Sequence, residues 1–286
     1  MIHLLTLSDG SKMPYRILGE DSEETPLIMI SGLGQDMTVW YPYCHEFAKS
    51  RQVLIFDKRG NGEFVLVQGG RITLERIAQD VVELANHLNW KDVNILGFSM
   101  GGLIAQTLVT KLANPLRIHK LILMGTAPTE PTCYPFLKIL FKTREIIFEN
   151  NVDTPDLSII AATYLAIDYT PQWISEHREY FDQVIKEFFK RKLPVRTICA
   201  QADSALNFDV RRELQDLRIP TLIVHGEHDR MVSAEHAKIT HQLISGSQLV
   251  LLPGVGHTIF EMYPEITIRI AKFLGEKVDS AFEKSA

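Results

Sequence analysis

A serine hydroxyl is a weak nucleophile at neutral pH and becomes useful only beside a base that a third group orients. The chain offers such a set. Ser99 lies in Gly97-Phe98-Ser99-Met100-Gly101, directly after the short apolar run Val93-Asn94-Ile95-Leu96 and directly before an apolar helical pattern at Leu103, Ile104, Leu108 and Leu112. A serine flanked by glycines two positions away, where a strand passes at once into a helix, is the pattern of a strained turn that exposes the hydroxyl above a sheet. The helix N-terminus behind it favours negative charge. Asp229 follows the run Pro220 to His225, and His257 follows the run Gln248 to Leu252 within Gly254-Val255-Gly256-His257. Each lies just past the end of a predicted strand, so serine, acid and base fall on one side of a parallel sheet in the order Ser99, Asp229, His257.

Competing assignments are weaker. Gly125-Thr126-Ala127, past the preceding strand, contains no acid, and His236 and His241 fall inside a predicted helix. His225, His228 and Asp229 share one short turn with no second cluster elsewhere, so no metal is expected, and the chemistry asks for no cofactor. Acyl chemistry also needs donors aimed at a developing oxyanion. The Met100 amide, next after the nucleophile, is one. The second is expected from Ser31-Gly32-Leu33-Gly34, which follows the strand Leu27 to Ile30: the Leu33 amide first, the Gly34 amide as the fallback, with Gly32 and Gly34 bordering bound substrate.

The elements that must place these residues alternate. His3 to Leu7 and Met13 to Leu18 read as a hairpin about Asp9-Gly10. Strands then follow near 27–30, 52–56, 93–96 and 120–124, separated by predicted helices over 38–50 and 73–89 and by the helix after Ser99. In the second of these helices Ile77, Val81, Leu84 and Leu88 share a face and Thr73 can cap. The rhythm breaks after Pro128. Residues 129–195 carry helical patterns only, over 136–149, 156–167 and 172–191, and the alternation returns from Phe208 onward. This spacing predicts an α/β fold with a mainly parallel sheet covered on both faces. The expected division is a first core segment 1–128, a helical lid 129–195 and a second core segment 196–286. The lid holds 11 of the chain's 14 Phe, 8 Tyr and 3 Trp residues in less than a quarter of its length. Its aromatic inner face, with Trp173 as the chosen contact, suits an apolar acyl or alcohol group.

Composition excludes several classes. A chain of 286 residues with 45% hydrophobic and 23% charged residues is an ordinary globular protein, and a net charge of −5 gives no footprint for nucleic acid. Three widely spaced cysteines, Cys44, Cys133 and Cys199, fit a reducing compartment. No signal peptide and no spanning helix are expected, which together point to the cytoplasm. Oligomeric state leaves no sequence mark.

Ser31-Gly32-Leu33-Gly34-Gln35-Asp36 with Trp40, Asp57-x-Arg59-Gly60-x-Gly62, Gly97-Phe98-Ser99-Met100-Gly101-Gly102, Pro220-Thr221-Leu222-x-x-His225-Gly226-x-x-Asp229 and Gly256-His257 resemble the α/β-hydrolase superfamily. The branch they are most similar to holds esterases, haloperoxidase-like enzymes and 3-oxoadipate enol-lactonases. The resemblance runs in register over roughly residues 14–127 and 205–275. It implies an eight-stranded sheet with an inserted helical lid. It also implies a serine ester or lactone hydrolase acting on a small molecule through an acyl-enzyme, with Ser99, His257 and Asp229 as nucleophile, base and orienting acid. An acyltransferase or perhydrolase on the same triad, and a receptor that has kept only the fold, are the alternatives. Ser99 stands where dehalogenases and epoxide hydrolases of the superfamily carry aspartate. Two departures stand out. Ser31 replaces a usual histidine, and the apolar run Phe64-Val65-Leu66-Val67 begins where the family places a small residue, which bears on the pocket entrance.

Overall fold

The computed structural model describes residues 1–112, 116–130, 165–190 and 195–276. Eight strands form one sheet: β1 (His3–Thr6), β2 (Lys12–Leu18), β3 (Leu27–Ile30), β4 (Val53–Phe56), β5 (Asp92–Phe98), β6 (Arg117–Met124), β7 (Thr221–Gly226) and β8 (Gln248–Leu252). Their spatial order is β1-β2-β4-β3-β5-β6-β7-β8. The hairpin β1–β2 and the β2–β4 pair are antiparallel, and every later pairing is parallel.

Alternation along each strand sorts the core into two layers, because successive side chains point to opposite faces. Ile28, Ile30, Leu54, Phe56, Val93, Ile95, Leu121 and Leu123 face one layer, where they meet α2 (Leu74–His87) and α3 (Met100–Thr110). Leu27, Met29, Val53, Ile55, Leu96, Phe98, Ile122, Met124, Leu222 and Val224 face the other. There they meet α1 (Tyr41–Phe47), which a 3₁₀ turn at Met37–Trp40 leads into. The expected single helix over 38–50 is this pair. Thr73 caps α2 through the Arg76 amide at 3.1 Å, as its position suggested.

The described chain runs to Glu130 and resumes at residue 165. The helices expected over 136–149 and 156–167 lie wholly or mostly outside the described residues. The one expected over 172–191 is two, α4 (Pro171–Glu176) and α5 (Arg178–Lys190). His177 leaves helical geometry between them, with φ −124° and ψ 39°, and its ring lies flat on Trp173 at 4.4 Å. α6 (Val195–Ala205) follows. The stretch expected to restart the rhythm at 208–217 contains the short α7 (Arg211–Leu214) and an isolated bridge from Asp209 to Thr129. The remaining elements are α8 (Glu235–Leu243), α9 (Ile259–Met262) and α10 (Ile266–Leu274), the last closing on the same layer as α1.

The Phe64–Val67 run divides: Phe64 is buried, whereas Val65 and Val67 are exposed. Phe64 is buried in the α2–α3 layer under the Arg59 guanidinium, and Val65 exchanges backbone hydrogen bonds with Lys12 at the antiparallel side of the sheet. Arg59 itself is fully buried. Its Nε and Nη2 donate to the two oxygens of buried Asp80 at 2.5 and 2.8 Å, and its Nη1 lies 2.7 Å from Asp9. This pair ties the loop after β4 to α2. Removing one partner of a buried pair leaves an uncompensated charge. Asp80→Ala is therefore expected to lower unfolding free energy by about 3 kcal/mol. A shift in urea midpoint at unchanged slope checks this, and a loss below about 1 kcal/mol would mean that Asp9 alone satisfies Arg59.

Candidate active site

β5 ends at Phe98 and α3 begins at Met100, so a single residue turns strand into helix. Ser99 does so with φ 54° and ψ −121°, a conformation an L-residue adopts only under constraint. The constraint is visible: the Ser99 amide donates to the Met124 carbonyl of β6 at 2.8 Å, and its carbonyl accepts from the Gly102 amide at 2.8 Å. A Cβ on Gly101 would lie 2.0 Å from the Ile30 carbonyl oxygen of β3, so only glycine fits between the new helix and that strand.

His257 Nε2 is 2.9 Å from Ser99 Oγ, and His257 Nδ1 is 2.7 Å from Asp229 Oδ2. With Asp229 ionised, Nδ1 carries the proton and Nε2 accepts from the hydroxyl. The structure thus brings together Ser99, Asp229 and His257, each at the carboxyl end of a strand. The other Asp229 oxygen accepts the Met231 and Val232 amides, both at 2.8 Å. His225 adds what the sequence reading set aside as a metal ligand. Its Nε2 is 2.8 Å from the Val232 carbonyl and 3.2 Å from Asp229 Oδ2, so its N–H lies between them. Among the described residues no cluster of His, Cys, Asp and Glu could hold a metal.

Burial works against both charges of the pair, but the partners prevail. The imidazoles of His257 and His225 hold the Asp229 carboxyl well below the usual carboxylate range. Burial disfavours the His257 imidazolium, yet Asp229 and the nearby Asp168 raise its pKa above the ordinary 6.5. Phe98 covers one side of the ring at 5.1 Å.

The oxyanion loop follows β3, the neighbour of β5. Gly32 packs against the serine: a Cβ there would lie 3.3 Å from Ser99 Cβ. Its amide donates to Gln35 Oε1 at 2.8 Å, and the Gly34 amide donates to Gln201 Oε1 of α6 at 3.1 Å. Gly34, the fallback donor, is therefore occupied. The amides of Leu33 and Met100 donate to nothing among the described residues. Trp173 packs against its own neighbours. Its ring is stacked between His177 at 4.4 Å and Tyr169 at 4.7 Å, in a cluster with Leu165 and Phe181.

The segment at 165–170 reaches the His257 loop through backbone hydrogen bonds and through the charge of Asp168. The Asp168 carbonyl accepts the His257 amide at 2.7 Å and the Thr258 amide at 3.3 Å. Arg230, beside Asp229, donates to the carbonyls of Ala166 and Tyr169. No sequence signal marks a backbone carbonyl. His225 had one, since it lies four residues before the acid on the same turn.

The sheet order, the turn at Ser99 and the order of the three side chains along the chain define a class, and comparison with known proteins agrees. The sequence model of the family described as "alpha/beta hydrolase fold" matches residues 25–262. The chain belongs to this family and to its hydrolytic enzymes. It is similar to serine hydrolase BPHL of Mus musculus, 29% identical over 88% of this chain and 78% of that protein. It is also similar to 3-oxoadipate enol-lactonase 2 of Acinetobacter baylyi, 25% identical over 87% of each. A solved hydrolase from Pseudomonas aeruginosa superposes with a TM-score of 0.81 at 25% identity, covering 96% of this chain and 98% of that one.

The Gly101 contact sets a test of the turn. Gly101→Ala forces a methyl group into backbone that cannot retreat without breaking the β3–β5 pairing. The expected loss is about 3 kcal/mol, the upper part of the overpacking range, read as a fall in Tm. A melting temperature within error of the wild type would show that the helix can move away from β3.

Proposed function

We propose that the chain is a serine hydrolase of carboxylic esters or lactones that works through an acyl-enzyme. The observation that carries this reading is the unbroken line from Ser99 Oγ through His257 to Asp229, at 2.9 and 2.7 Å, built on a strained turn. Ser99 attacks the acyl carbonyl while His257 Nε2 takes the hydroxyl proton. Asp229 fixes the imidazole tautomer and faces the imidazolium as it forms. The carbonyl oxygen becomes an oxyanion beside the Met100 and Leu33 amides, which need not reorganise to meet it. Collapse expels the alcohol, protonated by His257. Water then repeats the sequence on the acyl group and frees the acid. For a lactone, both products are one molecule. The names of the similar proteins, a serine hydrolase and an enol-lactonase, support this substrate class. We also read residues 129–195 as a lid over the site, supported by the bonds from Asp168, Ala166 and Tyr169 to the loops of His257 and Asp229.

Ser99→Ala is expected to lower kcat on p-nitrophenyl esters and small lactones on the order of 10⁴-fold or more. It should also abolish the mass increment left by a fluorophosphonate, with Tm maintained. A variant within about tenfold of wild type would reduce Ser99 to a turn residue.

The pH dependence has a definite sign. Only neutral His257 accepts the Ser99 proton, and its pKa is raised from 6.5, so kcat/KM should fall as pH drops, with the midpoint of that limb above 6.5. In Asp229→Asn the midpoint should move down, because the group that raises it is gone. A profile flat to about pH 4 would remove His257 as the base.

A further inference from the structure

Lys58 lies inside the Asp57-x-Arg59-Gly60 motif, yet nothing in the reaction above uses it. It is 1% exposed, one of the largest fully buried side chains of the protein. An amine in such a place is costly unless its hydrogens are used. Two are. Nζ donates to Ser31 Oγ at 2.6 Å and to the Gln35 carbonyl at 2.8 Å, and Ser31 Oγ in turn donates to the same carbonyl at 3.1 Å. The amine therefore closes a ring that joins the first and last residues of the loop 31–35. Within that ring the Gly32 amide is held by Gln35 Oε1 and the Gly34 amide by Gln201. Leu33, at the crown, has the amide left over.

We propose that Lys58 is a positioning residue for the oxyanion loop: by pinning Ser31 and the Gln35 carbonyl from beneath, it holds the Leu33 amide toward the Ser99 side. The proposal rests on the hydrolase reading. It explains why serine is accepted at position 31, where the family pattern led us to expect histidine: the anchoring hydrogen bonds come from the neighbouring strand's loop. Burial pushes the Lys58 amine down to about 7, with Asp57 and Asp36 acting the other way. The role does not depend on that charge, since neutral amine and ammonium both keep two N–H groups for the two contacts.

The test uses Lys58→Met, which retains the apolar stem, and Ser31→Ala, which removes the other member of the ring. Turnover of a p-nitrophenyl ester and hydrogen exchange are measured on the full chain. A loosened loop presents one oxyanion donor poorly, so Lys58→Met should lower kcat by about 10- to 100-fold, somewhat less than outright loss of a donor. KM should stay within about threefold, since the contact matters in the transition state. Exchange in a peptide covering 31–36 should quicken while that in one covering 95–105 does not. Ser31→Ala should cost several-fold in wild type and less in the Lys58→Met background, because the two act through one ring. Unchanged kcat and unchanged exchange in 31–36 would overturn the proposal, as would a loss confined to KM. If Lys58→Met fails to fold, Ser31→Ala alone decides: wild-type kcat and exchange in that variant reject the ring. Wild-type protein that neither turns over esters nor reacts with a fluorophosphonate would instead overturn the hydrolase reading, and this proposal with it.

Discussion

One backbone conformation organises the site. At Ser99 a strand becomes a helix within a single residue, at φ 54° and ψ −121°, a strain of about 1–3 kcal/mol for an L-residue. Such strain persists only where the surroundings over-determine it. Here β6 holds the amide, the first turn of α3 holds the carbonyl, and Gly101 lets that turn sit directly on the end of β3. The same packing that forces the turn brings the loop after β3 against the serine, so one contact sets Gly32 beside Ser99. Strand order does the rest. β4 and β5 leave β3 on opposite sides, and the crevice opened where the connections diverge is where an α/β sheet accepts a ligand.

Two buried carboxylates show how the same physics serves different ends. Asp80 faces Arg59, a cation whose charge does not change, and the pair does no more than fasten the loop after β4 to α2. Asp229 meets no such fixed cation: it accepts two backbone amides and lies within hydrogen-bond reach of the His225 and His257 imidazoles. Those partners hold its carboxyl well below the usual carboxylate range despite burial.

What could be read from sequence follows from how local each determinant is. Buried strands are short apolar runs, so β3, β4, β7 and β8 lie within a residue of where the runs place them, and the elbow, acid and base follow from those ends. Met100 and Leu33 can be singled out from sequence because a backbone amide's place follows from its position after a strand, and among the described residues both amides lack an acceptor. α6 is hard to see in sequence because the residues it buries at helical spacing, Cys199, Ala202 and Ala205, are small and carry little apolar signal. Apolar character in the Phe64 run does not say what each residue meets: Phe64 lies under Arg59, while Val65 and Val67 stay exposed beside β2. Lys58 escaped notice for the opposite reason, since a lysine in a loop ordinarily faces water. Trp173 was chosen for composition, and its ring faces turned out to be filled by its own neighbours.

Those neighbours give the aromatic segment a different part to play. His257 is held by its ring at Asp229, by Phe98 at its side and by its amide at the Asp168 carbonyl, and the last of these comes from the inserted segment. A Cβ on Gly256 would lie 2.6 Å from that carbonyl oxygen, so the base loop and the segment approach as closely as backbone allows. Arg230 ties the acid loop to the same turn. Proton transfer between Ser99 and His257 depends on a heavy-atom distance that loses its value within a few tenths of an ångström. The turn at 165–170 is thus fastened to the loops that carry His257 and Asp229. The stack of His177, Trp173 and Tyr169 and the bond from Tyr169 to Glu261 of α9 stiffen that turn against the core. In this part of the segment the aromatic side chains pack on one another around the turn whose Asp168 carbonyl accepts the His257 amide.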